Sequence, residues 1–147
     1  MPRALDYPPI WLMAFLIPAL AMGDVAPLPL PDWLQTAGTG LAIFGAALSF
    51  LALPRFLAAR TTIIPHRDPD ALITGGIYRF SRNPIYLGDV LILLGLILRW
   101  DAVLALPLVP AYAWVLHRRF IEAEEARLRA RFGPEFDAYC RRTRRWI

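Results

Sequence analysis

The stretch from Trp33 to Leu53 carries no charged side chain and is long enough to cross a bilayer unaided. Crossing the hydrocarbon takes about 20 predominantly apolar residues, and an α-helix satisfies every backbone group within that run. Three shorter apolar segments accompany it, at about 8–22, 85–100 and 102–116. Alone, each short segment reads equally well as a buried core helix. Four of them, with little polar sequence to wrap them, read as a membrane bundle. Composition agrees: 57% of residues are hydrophobic and 19% charged, against about 25% charged in soluble domains. A disordered chain is excluded by the same numbers. A disulfide scaffold is excluded by the single cysteine, Cys140. The expected fold is all-α: one integral membrane domain over residues 1–147, with four transmembrane helices and a C-terminal amphipathic helix.

Charge placement sets the orientation. All basic residues are arginine; there is no lysine. Arg3 precedes the first segment, the loop 54–84 holds five arginines, and nine follow Leu116. The loop from Gly23 to Asp32 has two acids and no base, and Arg99 is the one arginine on that side. The positive-inside rule makes the rich side cytoplasmic, so both termini are expected there, which requires an even number of spans. The N-terminal run is interrupted by Pro8, Pro9 and Pro18 and lacks an A-x-A site, so a retained helix is expected rather than a cleaved signal. Arginine without lysine points to a GC-rich bacterial genome, and hence to a bacterial inner membrane.

Two constellations on the arginine-rich side carry polar chemistry. The first is Thr74-Gly75-Gly76-Ile77-Tyr78-Arg79-Phe80-Ser81-Arg82-Asn83-Pro84-Ile85-Tyr86. It reads as membrane punctuation: a Gly-Gly turn, Asn83 as N-cap, Pro84 opening the third span, and tyrosines and arginines at the interface. The residues alone favour that reading; the other is a ligand loop, since glycines allow close backbone approach and helix N-termini favour anions. The second is the helical stretch from His117, closed by Gly133-Pro134. Ile121, Leu128 and Phe132 define an apolar stripe, and Glu124 and Glu125 lie within about 60° of its centre. They either pair along the helix, as Glu124–Arg127 and Glu125–Arg129, or present carboxylates to a ligand. Asp89, one turn into the third span, is a functional candidate by its depth, unless it reaches water or pairs with Arg79 or Arg82. Gly38, Ala42, Ala46, Gly45 and Ser49 give the second span small faces for close packing. His66 and His117 have no partner at metal-ligand spacing, so no metal is expected. The terminal arginines from Arg141 to Arg145 suit anionic lipid, and nucleic acid is not an expected partner.

Gly76 to Gly88 resembles the G-x-Y-x-x-x-R-[HN]-P-x-Y-x-G signature of integral-membrane methyltransferases, the isoprenylcysteine carboxyl methyltransferases and related phospholipid methyltransferases. A hydrophobic helical hairpin, Glu124-Glu125-Ala126-Arg127-Leu128, Phe132-Gly133, Tyr139 and Arg145-Trp146 follow in the matching order, so the resemblance covers about residues 70–147. It implies S-adenosylmethionine as methyl donor, S-adenosylhomocysteine as product, and a membrane lipid or lipophilic small molecule as acceptor. It also implies a cofactor pocket formed by loop 54–84 and tail 117–147, with contacts from Asp70, Ala71, Leu72, Ile73, Tyr78, Asn83, Pro84, Ile85, Tyr86 and Glu124. Asp70 stands where the family often has His, and Asn83-Pro84 matches the phospholipid-type relatives more than the His-Pro form. Phe120 occupies the column of a substrate-facing arginine, with Arg118 and Arg119 just before it, so Arg119 is the catalytic candidate there. Methyl transfer needs alignment more than acid–base chemistry; an amine acceptor must lose a proton, for which Asp89 and Glu125 are candidates. The alternative is a non-enzymatic membrane adaptor or lipid-binding protein that keeps the fold. A small transporter ranks below both, because the first two spans hold no deep acid.

Overall fold

The computed structural model describes residues 6–147. The first helix, α1, runs Pro8–Val25. Pro8 and Pro9 occupy its first turn, where a missing N–H leaves nothing unpaired, and the Tyr7 carbonyl accepts the Ile10 N–H at 3.0 Å. Pro18 lies within the helix without ending it. The second helix, α2, runs Asp32–Ala58. It continues past the expected end at Leu53, through Pro54, because a proline deletes one backbone bond while the flanking ladder persists. Arg55 sits in the last turn, where the helix dipole favours a cation. Both helices are long and apolar enough to cross a membrane. Their outer faces expose Ile10, Met13, Ile17, Ile43, Phe44, Phe50 and Leu51, which suits lipid contact rather than water.

The third helix, α3, runs Pro84–Arg99 and packs along α2 more extensively than any other pair of helices. Small residues make this possible. Gly45 faces Gly88, and Gly38 faces Gly95, so the two helices run antiparallel with backbones nearly touching. A Cβ on Gly45 would lie 2.5 Å from the Gly88 carbonyl oxygen, and one on Gly38 would lie 2.6 Å from that of Gly95. Beyond α3 the Asp101 carboxylate accepts the Leu30 N–H at 2.8 Å and the Gln35 side-chain amide at 3.1 Å, pinning the far end.

The fourth apolar segment starts later than expected. Val103–Ala105 forms a 3-10 turn, and the helix α4 occupies only Leu108–Leu116. It then passes through a π-helical turn, His117–Ile121, into α5, Glu122–Phe132. The last apolar segment and the tail helix are therefore one continuous rod. Gly133, at φ 50, ends it. Pro134 opens a further helix, α6, Pro134–Arg142, which the apolar periodicity did not reveal. No strand occurs among the described residues.

Two apolar clusters hold these parts. One joins Leu93 and Ile97 of α3 to Tyr112, Leu116, Phe120 and Ile121 of the rod. The other joins Ala52 of α2, Tyr78, and Phe136 and Tyr139 of α6. The second cluster docks α6 and the 59–83 loop at the end of the bundle where α1 begins, α2 ends and α3 begins.

Candidate functional site

That end of the bundle encloses a cavity of about 580 Å³. Its walls come from the start of α1 (Pro8, Pro9), the last turns of α2 (Ser49, Leu53, Phe56), loop residues 61–73, the start of α3 and the inward side of α5. The loop is closed on itself by Thr61, whose Oγ1 accepts the Asp70 N–H at 2.9 Å and the Ala71 N–H at 3.3 Å. The turn at Gly76 has φ +60, which glycine adopts without strain, and the Arg55 guanidinium packs where a Cβ would sit.

Ten of the residues singled out from the sequence line this cavity: Ala71, Leu72, Ile73, Tyr78, Asn83, Ile85, Tyr86, Asp89, Glu124 and Glu125. Three do not. Asp70 is exposed, and Pro84 is buried as the first residue of α3. Arg119 is exposed on the π-helical turn; its Nε donates to Asp6 at 2.6 Å and its guanidinium lies 5.0 Å from the Trp11 ring.

Glu124 joins the two constellations. The Tyr86 hydroxyl, on α3, donates to Glu124 Oε1 at 2.6 Å. Burial pushes the Glu124 carboxyl up to about 7; Tyr86 and the nearby Arg127 charge pull against that shift, and the Glu125 charge adds to it. The side chains of Glu124 and Glu125 do not make the pairs expected along the helix. Glu125 instead accepts from Arg145 through both oxygens, at 2.9 and 2.7 Å, with Arg82 at 3.5 Å. Burial pushes Glu125 up, but these arginines outweigh it and hold its carboxyl below the usual range. Arg129 turns away to Asp137 at 3.0 Å.

The chain's last residues form a strap over the loop. The Arg145 carbonyl accepts from the Asn83 amide at 2.9 Å, and the Arg144 carbonyl accepts the Arg82 N–H at 3.0 Å. Asn83 thus sits at the N-cap position of α3 but spends its side chain on the strap, not on capping. Tyr139 donates to the Tyr78 carbonyl at 2.6 Å. Tyr78 and Tyr86 are buried, not interfacial. Asp89 is also buried; it faces the Tyr112 hydroxyl, and no arginine pairs with it among the described residues.

Several site features were not read from the sequence. Asp6 gathers Arg119, the Trp11 indole N–H at 3.3 Å and His66 at 3.1 Å, tying α1, the rod and the loop together at the rim. Burial raises the Asp6 carboxyl, but Arg119, Trp11 and His66 lower it further, to below its usual range. Phe120 lies in the π-helical turn between Tyr86, at 6.1 Å, and His66, at 5.7 Å; such turns recur at functional sites. Only the apolar run Ile63-Ile64-Pro65 inside a polar loop hinted that this segment covers something. Among the described residues no cluster of His, Cys, Asp and Glu could hold a metal ion.

Comparison with known proteins gives one family. A family model described as phospholipid methyltransferase matches residues 33–135. No curated protein and no solved structure matches the chain.

Proposed function

From the premise that the chain belongs to the phospholipid methyltransferase family, a membrane-associated family acting on lipid-related substrates, we propose that it transfers a methyl group from S-adenosylmethionine to a lipid or lipophilic small molecule. The observation that carries this reading is the Tyr86–Glu124 hydrogen bond on the wall of the cavity, which unites the loop signature with the tail-helix acids.

The residues present fit such a cofactor. The cavity volume lies inside the range of about 300–1,000 Å³ typical of small-molecule sites. Its wall combines apolar surface from Leu72, Ile73 and Leu128 with the Glu124 carboxylate, a mixture that suits a purine with a ribose and a charged end. When bound, S-adenosylmethionine supplies an electrophilic methyl group on a sulfonium. Glu124 accepts hydrogen bonds or pairs with a cation, and Tyr86 fixes its orientation. Ala71, Leu72, Ile73, Tyr78, Asn83 and Ile85 shape the remaining wall, while Pro84 opens α3 beside them and Asp70 helps close the loop through its N–H on Thr61. Asp89 is the group placed to take a proton from an amine acceptor, because neither an arginine nor the strap engages it. Glu125 holds the strap through Arg145, and Arg119 holds the rim through Asp6. A lipophilic acceptor reaches the cavity from the membrane, and the cofactor from the arginine-rich side.

In this reading the chain crosses a bacterial inner membrane four times, through α1, α2, α3 and the segment that runs from the Val103–Ala105 turn through α4 into the π-helical turn, with both termini on the cytoplasmic side. Residues 6–147 are read as one membrane domain whose loop and tail build the pocket; residues 1–5 of the expected domain lie outside the described residues. Calorimetric titration of the purified, folded protein with S-adenosylhomocysteine tests it. Binding in the micromolar range is expected, and Glu124→Gln should weaken it without lowering the melting temperature. A folded protein with no affinity for the product would end this reading.

A further inference from the structure

Arg127 follows Glu124 by one helical turn on α5, and both line the cavity. Its Nη1 is buried and has no hydrogen-bond partner among the described residues. A buried charged donor left without a partner is costly, and native structures rarely retain one without a purpose. Neither neighbouring carboxylate accepts from it among the described residues. Glu124 Oε1 receives Tyr86, and Glu125 receives Arg145 and Arg82. Arg82 Nε, on the wall of the same cavity, is likewise buried and unpartnered.

We propose that Arg127 is the core of an anion-binding subsite in this cavity, taking a carboxylate or a phosphodiester oxyanion through its guanidinium. A planar guanidinium with a free N–H suits either anion. Glu124 beside it gives the wall both signs of charge, so the preferred ligand carries an anion and a cation or hydroxyl close together. Two sources supply that chemistry: the amino-acid end of the methyl donor, and the phosphate of a lipid headgroup. The proposal rests on the reading of the cavity as a methyl-donor and lipid site, and its test separates the two.

The probes are S-adenosylhomocysteine, its decarboxylated analogue, and a short-chain glycerophospholipid below its micellar concentration. Each is titrated calorimetrically into the wild type, Arg127→Gln and Arg127→Lys in the same detergent. Loss of one charge-assisted hydrogen bond should weaken the anion-bearing probe by about tenfold to a hundredfold, with Arg127→Lys falling between. If the carboxylate is the ligand, Arg127→Gln weakens S-adenosylhomocysteine and leaves the decarboxylated analogue unchanged. If the phosphodiester is the ligand, only the phospholipid is weakened. Either pattern supports the subsite. Unchanged affinity for all probes in folded variants overturns it, while wild-type binding of S-adenosylhomocysteine would still uphold the proposed function. Conversely, a phospholipid effect in a protein blind to S-adenosylhomocysteine would keep the subsite and reject the cofactor.

Discussion

Glu124 should make product affinity depend on pH. Burial lifts its carboxyl to about 7, against the opposing pull of Tyr86 and Arg127. A protonated carboxyl cannot pair with a cation and accepts hydrogen bonds less well, so ligand binding and deprotonation are linked. Affinity for S-adenosylhomocysteine therefore rises with pH, reaches about half its plateau near pH 7 and levels off about one unit above it. With a pKa near 7, about a tenth of the carboxyl is ionised at pH 6, which sets a loss of about tenfold relative to the plateau. The same raised pKa acts oppositely on folding. The folded state holds this proton more tightly than the unfolded chain does. Its contribution to stability is therefore complete below about pH 4.5 and fades as pH climbs through about 7. Calorimetry from about pH 5.5 to 8.5, in buffers of differing ionisation enthalpy, measures both the affinity and the protons released. Glu124→Gln should abolish the dependence and the proton release while retaining a lower, flat affinity. The same pH profile surviving in Glu124→Gln would refute the reasoning, since another group would then be titrating.

Three further outcomes follow from the packing. Gly88→Val should destabilise by about 1–3 kcal/mol through overpacking, because a Cβ at Gly88 meets Ser49 Oγ at 2.8 Å and the Gly45 carbonyl still closer; Gly40→Val, with nothing within 4 Å, is the matched control in thermal denaturation. Arg145→Ala should cost about 2 kcal/mol and increase hydrogen exchange at residues 79–83, while the double variant with Glu125→Ala should cost less than the sum of the two. Asp6→Ala removes three contacts at the rim, and limited proteolysis within the 59–75 loop should accelerate while the melting temperature falls only slightly, since Arg119 is partly solvated.

What the sequence reveals depends on how local the responsible force is. The long apolar runs and the small faces of α2 are local patterns, and they appear as α1, α2 and the glycine contacts between α2 and α3. The stop at Gly133 is local too, because left-handed backbone selects glycine. The late start of α4 has a local mark too, Pro107 at its N-cap, because proline cannot donate into a preceding helical turn and so separates α4 from the Val103–Ala105 turn. The fate of Glu125 is not legible: its spacing to Arg129 suits a pair on one helix, yet Arg145, far away in the chain, reaches it bidentately. A partly buried carboxylate gains more from a bidentate guanidinium in a sheltered place than from an exposed neighbour one turn away. Tertiary contact overrides local spacing wherever burial is available.

The same competition explains why the two acids of α5 part company. Adjacent residues on a helix point about 100° apart, and Glu124 and Glu125 reach different partners. Glu125 faces the strap and is neutralised by two arginines, which leaves it as a fastening. Glu124 faces the cavity with one hydrogen-bond donor, the Tyr86 hydroxyl, and feels the Arg127 charge without forming an ion pair with it. A buried carboxylate without an ion pair is unfavourable for the empty protein, and a ligand that supplies a cation or hydroxyl relieves it. The fastening is what keeps that arrangement in place: the strap that Glu125 secures also holds Asn83 and Arg82 at the start of α3, only a few residues from Tyr86. Under the proposed function, the pairing of one acid is what leaves its neighbour available to a ligand.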